Sequence, residues 1–160
     1  MSTPVINEPR PALYRGLTER LVSEQLVSSA GAAEIAEQAR TQSKTLIQEL
    51  LDGNHIDSAA LAAIVSEEYG VPLFNLTPMV REHFPLDLVP QSLIRKHKAL
   101  PLYRRGNRLF VAIADPTNTS ALAEFKFATG IATDSVVVEQ KLLLETISEV
   151  IAKQDEVFDG

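Results

Sequence analysis

The sequence has no cysteine and no tryptophan, and it has only three histidines. Without cysteine, disulfide frameworks, thiolate metal sites and cysteine nucleophiles are excluded. The histidines, His55, His83 and His97, are far apart in sequence, whereas metal sites usually draw ligands at short, regular spacings. We therefore expect no metal site in this chain.

Catalytic motifs and long apolar runs are also missing. The sequence contains no Gly-x4-Gly-Lys-Ser/Thr phosphate loop, no Gly-x-Gly-x-x-Gly fingerprint and no Gly-x-Ser-x-Gly elbow. No apolar run approaches the length of about 18 residues that indicates a membrane span. Of the 160 residues, 45% are apolar and 22% charged, the balance of a soluble globular protein. We expect a soluble intracellular chain without catalytic residues or cofactor.

Charge is distributed unevenly along the chain. The net charge is −6, yet one segment holds only basic charges, namely Arg95, Lys96, Lys98, Arg104, Arg105 and Arg108. This cluster is typical of a site for an acidic protein or an acidic membrane-proximal surface. It is equally typical of a hairpin edge whose cations prevent edge pairing. Nucleic acid is disfavoured, because the acidic remainder of the chain would repel it.

A diverged repeat occupies the first half of the sequence. A shift of about 29 residues places apolar on apolar residues, for example Leu21 on Leu50 and Val22 on Leu51. The apolar spacing predicts two helix-turn-helix units over residues 13–70. In the first helix-turn-helix repeat, the Ser-Ser-Ala-Gly break that ends at Gly31 predicts that the second helix runs from about Ala32 to Gln42.

The remaining sequence divides by composition and period. The composition predicts a flexible tail over residues 1–12 and a packed, proline-rich connector over residues 71–90. It predicts that residues 154–160 begin a linker. Residues 91–153 predict a short helix and then a ββαβα order, with a turn at Gly106-Asn107 and a buried strand over 135–139. The predicted fold class is therefore α+β: a helical subdomain of two helix-turn-helix repeats, then a small subdomain with a three-stranded sheet.

These features resemble a known family. The tract from Leu93 to Val111, followed by Ala114-Asp115-Pro116-Thr117-Asn118 and Phe127-Ala128-Thr129-Gly130, is similar to the N-terminal domains of type II secretion and type IV pilus assembly ATPases. The resemblance covers about residues 13–153. It implies a regulatory domain of a hexameric motor that polymerises pili, with the ATPase domain outside this sequence. The implied location is the cytoplasm, at the inner-membrane pilus machinery.

In some members of this family the paired helical motif binds cyclic di-GMP, through Arg-Leu-Gly, an apolar pair and a later glycine in each copy. The apolar pairs align with Leu21-Val22 and Leu50-Leu51. Gly16-Leu17-Thr18 and Thr45-Leu46-Ile47 then replace Arg-Leu-Gly, and Gln25 and Asn54 replace the later glycines. Loss of the arginines removes phosphate donors, and side chains at the glycine positions obstruct close approach to the backbone.

We therefore expect a protein-docking domain that couples a PilZ-type adaptor to pilus polymerisation and twitching motility. Two alternatives stay open: a direct cyclic di-GMP sensor, and a domain that only helps the motor assemble. The candidate docking residues lie in the connector and the basic hairpin: Phe74, Met79, Phe84, Arg104 and Arg105. For the connector residues, packing between subdomains is the competing interpretation.

Overall fold

The computed structural model describes residues 16–159, and their side chains as far as residue 156. The predicted tail and the predicted helical position Leu13 lie outside the described residues. The described chain divides into two compact units, one ending at Asp57 and one beginning at Ser58. The sequence placed all helices up to residue 70 in one subdomain, whereas in this division the fourth helix belongs to the second unit.

The described part of the first unit contains three helices: α1 (Leu17–Ser23), α2 (Ser29–Thr41) and α3 (Leu46–Asp52). Side-chain caps determine two of the starts. Ser28 Oγ accepts a hydrogen bond from Gly31 N at 2.9 Å, and Thr45 Oγ1 accepts one from Gln48 N at 3.0 Å. The apolar faces meet in a core of Leu17, Leu21, Ala32, Ile35, Ala39, Ile47 and Leu50.

The predicted start of α2 was wrong by one helical turn. Gly31 lies inside the helix and not in a break before it. The reason is the cap: Ser28 satisfies a first-turn amide, so the helix begins immediately after it. Gly31 is tolerated because it occupies this first turn, close to the capping hydroxyl.

The second unit begins with α4 (Ser58–Tyr69), which ends at Gly70 with a φ of 67°. The connector that follows contains two 3-10 turns, Arg81–His83 and Leu86–Leu88. The remaining elements are α5 (Gln91–His97), β1 (Leu100–Arg105), β2 (Arg108–Ile113), α6 (Thr119–Thr129), β3 (Ala132–Val137) and α7 (Gln140–Asp159).

The sheet has the order β1-β2-β3. Strands β1 and β2 are antiparallel, with Tyr103 opposite Phe110, and the Gly106-Asn107 turn joins them because Gly106 adopts a φ of 59°. Strands β2 and β3 are parallel, with Val111 opposite Ser135. The predicted α+β class, with helical repeats followed by a ββαβα unit, is confirmed.

Backbone and arginine hydrogen bonds hold the connector against the rest of its unit. Phe74 N donates to Val137 O at 2.8 Å, and Val137 N donates to Pro72 O at 2.7 Å. Arg81 donates to the carbonyl oxygens of Leu76 and Met79 at 3.3 and 3.1 Å. Its other terminal nitrogen donates to Thr146 Oγ1 on α7 at 3.3 Å.

Two further boundaries differ from the sequence-based prediction. Strand β3 begins at Ala132 and ends at Val137, earlier than the predicted 135–139, because its first residues find partners on β2 although they are polar. Helix α7 continues through Asp159, so residues 154–159, predicted as an unpatterned linker start, are helical. No helix among the described residues is both long and apolar enough to cross a membrane.

Candidate functional site

The two copies of the repeat follow the same local backbone course. The starts of α1 and α3 are separated by the repeat distance, as are the starts of α2 and α4. After the first helix of each copy, a residue other than glycine adopts the left-handed conformation, with a φ of 62° at Gln25 and 54° at Asn54. The positions that the motif assigns to glycine thus keep a backbone that favours glycine.

The end of α1 shows why Gln25 is held in this conformation. Leu26 N donates to Leu21 O at 3.0 Å, and Gln25 N donates to Val22 O at 3.0 Å. This pair of bonds is the Schellman motif, which requires a left-handed residue after the helix. Gln25 therefore carries conformational strain of about 1 kcal/mol that a glycine would avoid.

The six predicted motif positions separate into three environments. Leu21 and Leu50 are 2% and 1% exposed and line the same small cavity in the core of the first unit. Val22 and Leu51 are half-buried, whereas the side chains of Gln25 and Asn54 are exposed. The structure therefore brings together the two apolar positions that the repeat pairs, and leaves the former glycine positions at the surface.

An open groove of about 670 Å³ lies between α1 and α2. We call it the helical groove, and its lining residues are Thr18, Glu19, Val22, Ser23, Ser29, Ala32, Ala33 and Ala36. It includes Thr18, which replaces a motif glycine, and Val22 of the first apolar pair. Among the described residues that line it, Glu19 is the only ionisable one. The groove thus offers methyl groups, hydroxyls and one carboxylate.

Basic side chains elsewhere in this unit contact carboxylates. Arg20 Nε lies 2.8 Å from Glu24 Oε2. Lys44, which precedes the second Arg-Leu-Gly position, lies 3.0 Å from Asp52 and 3.4 Å from the buried Glu49. The hydrogen bond to Asp52 is the main cause that raises the pKa of Lys44. These contacts occupy the cations in place of a phosphate group.

The connector residues predicted for docking differ in exposure. Phe84 is buried and therefore packs within its unit, out of reach of a partner. Phe74 and Met79 are half-buried. Their neighbours Leu73 and Val80 are 48% and 51% exposed, and sequence reasoning missed both. Leu73 pairs with Val137 in extended backbone, where adjacent side chains point in opposite directions, so Leu73 is more exposed than Phe74.

The predicted hairpin residues Arg104 and Arg105 are both exposed. Arg104 Nε donates to the turn carbonyl of Gly106 at 2.9 Å. Arg108, across the turn, makes a two-pronged contact with Asp134 at 2.6 and 2.9 Å. This contact lowers the pKa of the Asp134 carboxyl, chiefly through the hydrogen bond from Arg108.

The histidines and carboxylates do not assemble a metal centre in the described part of the chain, where no group of three candidate ligands lies together. His97 Nε2 lies 3.2 Å from Glu124 Oε1. The neighbouring His97 and Lys96 side chains lower the pKa of the Glu124 carboxyl, and Lys96 Nζ donates to both of its oxygens at 3.3 and 3.2 Å. This cluster joins α5 to α6.

The family profile of the MshEN domain matches residues 69–157, more than half of the chain. This chain belongs to the MshEN domain family. The family resemblance predicted from the sequence is thereby confirmed. The matched segment of this MshEN domain begins at Tyr69, so it includes the sheet and α7 but neither Gln25 nor Asn54. The family signal is thus carried by the second unit.

The chain is homologous to the N-terminal region of type IV pilus assembly ATPase PilB. It is 34% identical over 149 residues to PilB of Pseudomonas aeruginosa, covering 89% of this chain and 26% of that protein. It is 30% identical over 139 residues to PilB of Acinetobacter baylyi, covering 87% and 24%. This MshEN domain thus spans about a quarter of the length of the curated relatives it matches.

Two solved structures share the fold. The structure of MshE with cdg (cyclic di-GMP) superposes with a TM-score of 0.64 at 20% identity, covering 83% of this chain and 96% of that one. The N-terminal domain of XpsE superposes with a TM-score of 0.66 at 18% identity, covering 81% and 90%. At these identities the likeness establishes the fold of this MshEN domain and not its ligand.

Proposed function

We propose that this MshEN domain is the non-catalytic regulatory and docking domain of a hexameric PilB-like pilus-assembly ATPase. In this proposal it couples a PilZ-type adaptor to pilus polymerisation, and so to twitching motility. It acts in the cytoplasm at the inner-membrane pilus machinery. The homology to the N-terminal region of PilB supports the assignment to such a motor.

The observation that carries the docking function is the chemistry of the helical groove. A cyclic dinucleotide carries two phosphates, and its recognition calls for charge-assisted donors such as arginine. The described residues that line the groove include no such donor, and the carboxylate of Glu19 would repel a phosphate. The alanines of α2 and Ser29 instead provide a shallow surface on which a helix of another protein can pack closely.

The alternative function is direct sensing of cyclic di-GMP by the same helices. It is favoured by the fold likeness to MshE with cdg and by the left-handed backbone kept at Gln25 and Asn54. Against it stand the missing arginines and the carboxylate partners of Arg20 and Lys44. The two functions therefore predict different ligands for the first unit.

Isothermal titration of the chain with cyclic di-GMP separates the two functions. We expect no binding with a Kd below about 10 μM. The double variant Gln25→Gly/Asn54→Gly is the matched control, because it restores both motif glycines without restoring the arginines. We expect it to remain without binding. Micromolar binding by the unmodified chain would establish the sensor function in place of the docking function.

Adaptor binding tests the docking function directly. The change Ala33→Glu/Ala36→Glu places two carboxylates on the exposed face of α2 that lines the helical groove. We expect it to weaken binding of a PilZ-type adaptor at least tenfold while hexamer formation by the intact motor is unchanged. Ala128→Glu, at an exposed alanine of α6, is the matched control. Loss of hexamers with intact adaptor binding would instead indicate a purely assembly-related role.

A further inference from the structure

One face of the three-stranded sheet is left open at the hairpin end. The side chains of Leu109 and Val111, which point to the opposite face from Phe110, are fully buried. On the open face lies a groove of about 530 Å³, which we call the sheet groove. Strands β1, β2 and β3 form its floor, and Gly70, Val71, Pro72 and Phe74, which follow α4, form one wall.

The floor of the sheet groove is an aromatic pair. Tyr103 and Phe110 lie opposite each other on β1 and β2, and their ring centroids are 4.7 Å apart at an interplanar angle of 15°. Both rings are half-buried, and Phe74 lines the groove beside them. These rings present an apolar surface that suits an aromatic or aliphatic side chain.

The rim of the groove supplies an unneutralised positive charge. Within the basic segment, Arg95 lies 3.9 Å from Asp155, and Lys96 lies 3.2 Å from Glu124. Arg108 is neutralised by Asp134. Arg105, which lines the groove, is exposed, and no carboxylate within the described residues pairs with it. The Asp134 carboxylate also lines the groove, but Arg108 neutralises it, so Arg105 supplies the uncompensated charge of the lining. A free guanidinium beside aromatic rings matches one carboxylate beside one apolar side chain.

The outer edge of β3 adds backbone groups to this site. In a parallel strand, alternate residues direct both their N–H and C=O groups to the same side. Val137 directs both groups outward, to Phe74 and Pro72, so Ser135 faces the same edge. Ser135 lies in the sheet groove next to residues 70–72. Its main-chain groups can therefore pair with an extended peptide that continues the connector's contact with β3.

We propose that the sheet groove binds an acidic peptide segment of a partner protein. An apolar side chain of the peptide packs on Tyr103 and Phe110, a carboxylate pairs with Arg105, and the peptide backbone pairs with Ser135. The proposal rests on the docking function above, because it names a second docking site and the chemistry of its partner. A nucleotide fits less well, because Arg105 is the one cation among the described lining residues of the groove, and phosphates call for several donors.

The test uses a fluorescein-labelled peptide, Glu-Asp-Phe-Val-Glu-Glu, as a probe of the whole chain by fluorescence anisotropy and amide chemical shifts. We expect binding in the range of about 10–500 μM, with shifts at Ser135 and Phe110. Arg105→Glu should weaken binding at least fivefold, and Lys126→Glu, at an exposed lysine of α6, should leave it unchanged. A lysine-for-acid version of the peptide should not bind.

Two results would overturn the proposal. One is equal affinity of the peptide for the unmodified chain and for Arg105→Glu, with both chains folded by circular dichroism. The other is displacement of the peptide by cyclic di-GMP or ATP with shifts at the same amides, which would make this a nucleotide site. Adaptor binding measured on the same samples separates the two proposals. If the adaptor binds and the peptide does not, the sheet groove proposal fails alone, whereas absence of adaptor binding counts against the docking function.

Discussion

The two copies of the helical repeat share a backbone but differ in their surroundings. In the first copy, α2 lines an open groove, and its buried residues are two alanines and Ile35. In the second copy, α4 belongs to the second unit, contacts β3 and α7, and buries Leu61, Ala62, Ile64 and Val65. Divergence has thus left one copy with an available surface and drawn the other into a core. The first copy is the one expected to meet partners.

The largest predicted effect is the loss of stability when a core leucine of either repeat copy is removed. It tests whether the two copies contribute equally to the core that they share. Leu21 and Leu50 occupy the same repeat position and line the same cavity. We expect Leu21→Ala and Leu50→Ala each to lower the free energy of unfolding by about 3 kcal/mol, because each removes a fully buried side chain. Urea denaturation measures both. Costs that differ by more than about 1.5 kcal/mol would show that the two positions are not equivalent.

The next effect distinguishes the two left-handed residues. Gln25→Gly should raise the free energy of unfolding by about 1 kcal/mol, because glycine adopts the φ of 62° without strain. Asn54→Gly should raise the free energy of unfolding by less, since asparagine tolerates the left-handed conformation better than glutamine. Ala128→Gly, inside α6, is a control that should destabilise the protein. A larger gain at Asn54 than at Gln25 would contradict this comparison.

The helix caps differ between the copies at the same repeat position. Thr45 caps α3, whereas Gly16 precedes α1 without a side-chain bond and has a φ of 123°. We expect Thr45→Ala to cost about 0.5–1 kcal/mol. Gly16→Thr should bring no gain, because the residue cannot adopt that φ without strain. Thermal unfolding reads out both changes, and stabilisation by Gly16→Thr would show that the α1 start can be rebuilt like that of α3.

The smallest effect concerns the Lys44–Asp52 pair of the second copy. The folded pKa of Lys44 lies above its usual value of 10.5. The pair therefore contributes fully to the free energy of unfolding below about pH 10.5, and this contribution is lost as the pH rises through the folded pKa. Asp52→Asn should therefore lower stability slightly near neutral pH and flatten its decline above about pH 10.5. Urea midpoints at pH 8 and pH 11 measure the change, with Glu37→Gln as an exposed control. An unchanged alkaline slope would exclude this pair as its source.

Much of the fold could be predicted because it follows from local patterns. The apolar spacing located the repeat, and the Gly106-Asn107 pair located the hairpin. The start of α2 was mispredicted because a hydroxyl cap at Ser28 outweighed the break suggested by Gly31. Strand β3 was mispredicted because polar residues such as Asp134 entered the sheet through pairing with β2 and Arg108. Both errors arose where one specific contact overrode a compositional signal.

The candidate sites were less predictable than the fold. The sequence indicated that Gln25 and Asn54 replace glycines, but not that both keep the left-handed backbone. It singled out Arg105 within a basic segment, but not the acids that neutralise the neighbouring cations or the aromatic floor beside it. Phe84 was a candidate for docking, yet it is buried. Exposure and charge pairing depend on contacts between residues that are far apart in the chain. A single sequence does not show which of these residues meet.

By itself, the sequence determined the absence of thiolate chemistry and the order of helices and strands, because each depends on residue identity or on local periodicity. Only the tertiary structure decided which repeat copy stays open, which cations are neutralised by carboxylates, and which aromatic residues share a surface. These outcomes depend on packing between distant segments, where small differences in burial and charge pairing select one arrangement.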